Sequence, residues 1–253
     1  MGRPAARQHA PRDVGVDAAA LRTDAEVPDA MAAAAPLLAA EVWDLPTRVS
    51  HWTLVACVAG AWATAELGRM DLHASFGCAV LGLVVFRVYW GCLGSSTARF
   101  VSFVRGPRAI VAYLPRMLSR APSRTAGHNP IAGHGAVVLL SVTLAHVCLG
   151  LVAVDVDGLD SGPLSHWVDF DTGRSAARGH ARTFDLLSVI VAVHVASVLF
   201  YLIYKRENLI RPMVTGRAYL HQGAVSAVRR APLWLALPGV ALAAAMVWLI
   251  RSS

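Results

Sequence analysis

Charge is scarce in this chain. Asp, Glu, Lys and Arg make up 15% of the 253 residues, against 56% for the hydrophobic set, and the mean hydropathy is +0.51. That composition excludes a water-soluble enzyme. Cysteine is sparse too. Cys57, Cys78, Cys92 and Cys148 lie far apart inside apolar runs, where free cysteine acts as a small buried hydrophobe. This excludes a disulfide framework, a zinc cluster and an iron–sulfur site, and the lack of a C-x-x-C-H string excludes covalent haem attachment. The apolar runs contain no Asp or Glu and show no repeat of fixed period, which argues against a proton-coupled transporter. The net charge of +7 does not point to nucleic acid, because the basic residues sit in short runs between long uncharged stretches, the pattern of membrane topology.

Long uncharged runs are what the chain does have. A hydrocarbon core about 30 Å thick needs roughly 20 apolar residues in a helix. Five runs qualify: 49–65, 72–98 broken only by Arg87, 125–154, 186–204 and 231–250. Pro130 places the helical part of the third run after itself; Pro238 in the fifth predicts a kink that neighbouring helices accommodate. The expected spans are therefore 49–67, 72–94, 131–154 and 183–204, forming one membrane domain over 41–219. A basic linker and a fifth transmembrane helix follow within 220–253. Residues 1–40, rich in Ala, Pro, Arg and Asp, read as a disordered extension rather than a signal peptide.

Orientation follows from the loops. The 99–124 loop carries six arginines and no acid, and the 205–230 loop six basic residues and one acid. The 155–185 loop carries six aspartates against three arginines. The first two belong in the cytoplasm with the N-terminus, and the acidic loop outside.

Within this apolar chain the histidines stand out. His51, His73, His134, His146, His180 and His194 lie in or near the ends of the runs, where ionisable groups are expensive and mark function. His180 and His194 are fourteen positions apart, nearly four turns and about 21 Å along one helix face. His51 starts the first span at the level of His194, and His73 starts the second at the level of His180. Two cross-helix pairs at two depths suit two stacked b-type haems, each iron taking one neutral imidazole per side. Arg87, fourteen positions from His73 on the same face, is placed to pair a propionate of the inner haem. Gly60 and Gly77 offer room for a flat macrocycle. His134 and His146 are about 120° apart around their helix, so they cannot both face one haem pair; interhelical hydrogen bonding is their expected role. His128 is placed to line a quinone pocket or to cap the third helix.

Four strings carry a family resemblance: V-W-D-L-P-T-R-V-S-H-W over 42–52, A-R-F-V-S-F-V-R-G-P over 98–107, G-H-N-P over 127–130, and R-E-N-L-I-R-P-M over 206–213. They are similar to the prokaryotic cytochrome b561 family, which includes b-type cytochrome subunits of nickel–iron hydrogenases, over about 41–217. The resemblance implies an all-α integral membrane protein with a four-helix di-haem bundle in the bacterial inner membrane; the fifth helix and the extension before Glu41 lie outside it. It also implies two non-covalent b haems ligated by His51, His73, His180 and His194. Electrons would pass between quinone and a periplasmic redox protein, either a c-type cytochrome or a dehydrogenase or hydrogenase subunit, and no residue is catalytic in its own right. Members often carry an acid straight after the first histidine of the fourth helix. Here Ala181 and Arg182 follow His180, and His166 is the alternative ligand. A haem-free membrane anchor is the alternative function. Trp167, in the acidic loop, marks a candidate docking surface.

Overall fold

The computed structural model describes residues 37–120, 125–157 and 160–253. Most of the expected extension lies outside these residues, but its last four belong to a strand. β1 (Leu37–Glu41) pairs antiparallel with β2 (Arg217–His221), setting Leu37 opposite His221 and Glu41 opposite Arg217. This corrects the expectation that 1–40 is wholly unstructured: the ribbon buries Ala40, Val42, Trp43 and Leu220 together, and its two halves are too distant in sequence for any local pattern to announce them.

Helices make up the rest. α1 (Leu45–Glu66) and α2 (Met70–Leu93) form a tight antiparallel pair, followed by the short α3 (Phe100–Phe103) and α4 (Pro107–Leu118). α5 (Pro130–Leu151) and α6 (Phe170–Ile203) complete the four-helix core. Beyond them come α7 (Ile210–Thr215), β2, α8 (Gln222–Ser226) and α9 (Ala236–Ser252). Three long helices share one start signal. Asp44, Asn129 and Asp169 each accept the backbone N–H of the residue three positions on, Thr47, Ala132 and Thr172, satisfying donors that the first turn leaves unpaired.

Among the described helices, α2, α5, α6 and the Leu233–Ser252 segment are long and apolar enough to cross a membrane. α1 has the length, 22 residues or about 33 Å, but its first two turns hold Thr47, Arg48, Ser50 and His51. α6 departs most from expectation. It begins at Phe170 rather than near residue 183 and runs for 34 residues, about 51 Å, well beyond a hydrocarbon core of about 30 Å. Its charged half, with Asp171, Arg174, Arg178, Arg182 and Asp185, extends past the apolar run that starts at Leu186.

α2 is the spine. In its apolar window 44% of residues are buried inside the protein, against 11% in each of the other three. Cys78, Val80, Leu81 and Val84 from α2 meet Val147 and Leu151 of α5. The fifth helix packs on α2 as well. A Cβ on Gly82 would lie 3.1 Å from Val247 and one on Gly239 would strike the Tyr89 ring, so both glycines permit close approach. Tyr89 donates to the Leu235 carbonyl at 2.9 Å, and Arg251 to Ser75 Oγ at 3.1 Å.

Candidate functional site

The strings at 42–52, 98–107, 127–130 and 206–213 converge on one end of the bundle, the basic end. Val42 and Trp43 both donate backbone N–H groups to the Gly216 carbonyl, at 2.7 and 3.1 Å. Arg48 donates to the Val214 carbonyl at 2.6 Å and Trp52 to that of Met213 at 3.1 Å. Gly216 has φ +83°, and a Cβ there would lie 2.9 Å from the Trp43 carbonyl; only glycine fits. Thr97 donates to the Val42 carbonyl at 2.6 Å, and buried Trp90 to Asp44 at 3.0 Å. The first turns of α1, which carry His51, are thus held from three sides.

At the opposite, acidic end the structure brings His73 and His180 together. Their ring centroids are 6.0 Å apart at an interplanar angle of 87°. Metal–imidazole bonds of about 2 Å on both sides of one ion, with each ring centre about 1 Å further out, give nearly the same separation. Both rings are also held in one tautomer. His73 Nδ1–H donates to the Ala61 carbonyl at 2.9 Å, and His180 Nδ1–H to that of His146 at 2.8 Å. With Nδ1–H engaged in this way, the neutral form of each ring has Nε2 free to ligate a metal, with the carbonyl as its outer partner.

His146 performs the hydrogen-bonding role its spacing suggested. It stacks on His180 with centroids 3.8 Å apart and planes at 12°. Its Nδ1 reaches the His180 carbonyl at 3.1 Å and Thr183 Oγ1 at 3.0 Å. Gly150, one turn further along α5, makes room for this assembly: a Cβ there would lie 2.8 Å from His180 Cε1 and 2.9 Å from Nδ1. Sequence reading missed Gly150, and its position four residues after His146 was the available signal. His134 departs from the expected interhelical role: it bonds within its own helix, back to the Pro130 carbonyl at 2.8 Å, rather than to a neighbour. His166, the alternative ligand, rests in a 3₁₀ turn beside the Trp167 ring.

His51 and His194 lie within electrostatic range of each other and of Arg87. Arg87 donates to the Thr47 carbonyl at 3.4 Å, one turn before His51. The single ion pair among the described residues is Arg230–Glu41 at 2.7 Å, so Arg87 is a half-buried cation without a carboxylate in contact. His128 packs its ring on Trp43 and Phe103, with centroids at 4.9 and 4.6 Å. Its Nδ1 is buried without a hydrogen-bond partner in the described structure. Burial first, then the charges of Arg87, His194 and His51, push its pKa down to about 3. The helix-capping role considered for His128 belongs to Asn129.

The two glycines separate. A Cβ on Gly60 would meet the Phe76 ring at 2.8 Å, so that glycine serves helix packing rather than a macrocycle. A Cβ on Gly77, one turn after His73, would meet nothing within 4 Å.

The donor set can be tested for its cofactor. Among the described residues no three His, Cys, Asp or Glu side chains gather where a bare ion could sit. Two imidazoles with free Nε2 atoms fit an iron whose other four ligands come from a porphyrin. Arg87, with no carboxylate in contact among the described residues, has the charge that would suit a propionate. Neither the curated proteins nor the solved structures hold a match to this sequence. Residues 42–216, which are 175 of the 253, match the family model of prokaryotic cytochrome b561 and take in His51, His73, Arg87, His180 and His194; the chain belongs to that family of electron-carrying membrane b-type cytochromes.

Proposed function

We propose that the chain holds two non-covalent b haems and moves electrons between a redox protein at its acidic end and quinone. One haem is assigned to His73 and His180, the other to His51 and His194, with Arg87 on a propionate of the latter. The 6.0 Å separation of the His73 and His180 rings, each with Nδ1 on a carbonyl, is the observation that carries this reading.

Haem, when bound, supplies reversible one-electron chemistry at iron. The protein's part is to hold, orient and insulate. At the His73–His180 pair, carbonyl partners fix both imidazoles and raise their basicity. α2 and α6 each carry one group at both levels, about 21 Å apart along the helix, so two rigid helices set both sites. At the acidic end, Trp167 and Phe170 are exposed among aspartates, and we assign this patch to the redox partner. His128, with its unpartnered buried Nδ1, is assigned to the quinone side. We assign the basic end and the N-terminus to the cytoplasm and the acidic end to the periplasm of a bacterial inner membrane, a reading that the arginine-rich loops support.

The test is haem content of single variants. His73→Ala and His180→Ala should each leave one haem per chain, and His51→Ala and His194→Ala should leave the other, distinguishable by its low-spin resonance. A variant that keeps both haems would overturn its assignment.

A further inference from the structure

The helix α4 takes no part in the histidine sites, yet among the described long helices it separates apolar and polar residues most strongly. Viewed down its axis, a turn of about 100° per residue divides it into three faces. Ile110, Tyr113 and Met117 form the first, which faces the protein, with Tyr113 buried. Val111, Leu114 and Leu118 form the second, an exposed apolar stripe with Val111 at 65% and Leu118 at 64% exposure. Arg108 and Arg116 lie on the third, and Arg105 and Arg120 flank the helix. No acid occurs between Asp71 and Asp155.

α4 is also firmly seated. Tyr113 and Tyr201 share a hydrogen bond at 2.9 Å, and Asn129 donates to the same Tyr201 hydroxyl at 2.9 Å. The carbonyls at the end of α4 are taken by residues just where α6 finishes: Lys205 donates to Arg116 and Ser119 at 2.9 and 3.0 Å, and Tyr204 to Leu118 at 2.9 Å. Lys205 is 1% exposed. The apolar run of α6 ends at these residues, so α4 is fixed at the depth where a spanning helix leaves the hydrocarbon, the level tyrosines favour. An exposed apolar stripe held at that depth faces the acyl boundary, and the arginines beside it face headgroups.

We propose that α4 is a lipid-recognition element that lies in the membrane interface and binds anionic phospholipid. Val111, Leu114 and Leu118 enter the acyl boundary while Arg105, Arg108, Arg116 and Arg120 engage headgroup phosphates. Charge complementarity selects the partner: a purely zwitterionic surface offers these arginines no net counter-charge, whereas an anionic one does. Through Tyr113 and Tyr201 the element braces α6 two turns beyond His194.

The test uses the full chain in nanodiscs of phosphatidylcholine alone or with added phosphatidylglycerol, and reads amide hydrogen exchange over 105–118. With the anionic lipid, exchange of these amides should slow by about tenfold or more, and salt should weaken the effect. The Arg105→Gln, Arg108→Gln, Arg116→Gln triple variant should lose the lipid dependence while keeping its haem spectrum. Equal protection of the wild-type chain in both nanodiscs would overturn the proposal without calling on any variant. So would a triple variant that keeps the full dependence.

Discussion

Replacing Gly150 by Ala separates the histidine assembly from the helix that carries it. In an isolated helix this change is favourable by about 1 kcal/mol, so α5 itself should be no less stable. The added methyl, however, would lie 2.8 Å from His180 Cε1 and 2.9 Å from Nδ1, and ordinary carbon contacts begin at about 3.5 Å. The imidazole must shift by roughly 0.7–1 Å to restore that contact. It has little freedom to do so: the His146 ring stacks on it at 3.8 Å, and its Nδ1–H is tied to the His146 carbonyl at 2.8 Å. Overpacking of this kind costs about 1–3 kcal/mol, or roughly a tenfold to hundredfold loss of haem affinity at that pair. The assay is b haem per purified chain by pyridine haemochrome, with low-temperature resonance to resolve the low-spin signals. The expected result is selective loss or shift of the His73–His180 signal with the other unchanged, and an apoprotein thermal midpoint unchanged or lowered, because the helix gain of about 1 kcal/mol offsets only part of the overpacking cost. Two full-intensity signals with unaltered g values would refute the placement of His180.

Three further outcomes follow from the same geometry. Arg87→Gln removes a cation beside the His51 pair, and redox titration should find that haem's midpoint lowered by roughly 50–100 mV, the equivalent of about 1–2 kcal/mol at an effective dielectric of 20; an unmoved potential would place Arg87 away from the haem. His146→Leu keeps the backbone carbonyl that His180 uses but removes the stacked ring and its bond to Thr183, so the resonance of one haem should change while His134→Leu changes neither. His128 has a folded pKa below its unfolded one, so its contribution to stability is complete above about pH 6.5 and falls as pH drops from there toward 3. At pH 5 the loss approaches about 2 kcal/mol as an upper bound, and His128→Phe should narrow the difference in melting temperature between pH 7.5 and pH 5.

Much of this arrangement could be read from residue order. Charge-free runs marked the crossing helices, since a bilayer tolerates few ionised groups, and they led to α2, α5, α6 and α9. Fourteen-residue spacings placed His73 with Arg87 and His180 with His194 on common faces, a consequence of helix geometry alone. What could not be read depended on partners remote in sequence. The β1–β2 ribbon joins segments about 180 residues apart, and 37–40 carries no strand signature of its own. α6 starts early because Asp169 caps it, a signal present in D-x-x-T but outweighed by the charges that follow. Gly60 invited a reading as cofactor room, yet the neighbour that fills its space, Phe76, is set by the α1–α2 packing. α4 went unread because its stripe of three apolar residues is too short to suggest a span.

Four histidines, paired across helices, are assigned to two b haems. The most direct test of this assignment is the haem-to-chain ratio of the detergent-purified full chain expressed with haem in excess, read with a reduced-minus-oxidised spectrum. The paired-histidine account predicts two b haems per polypeptide with two low-spin signals. A ratio of one or zero in folded protein would contradict it.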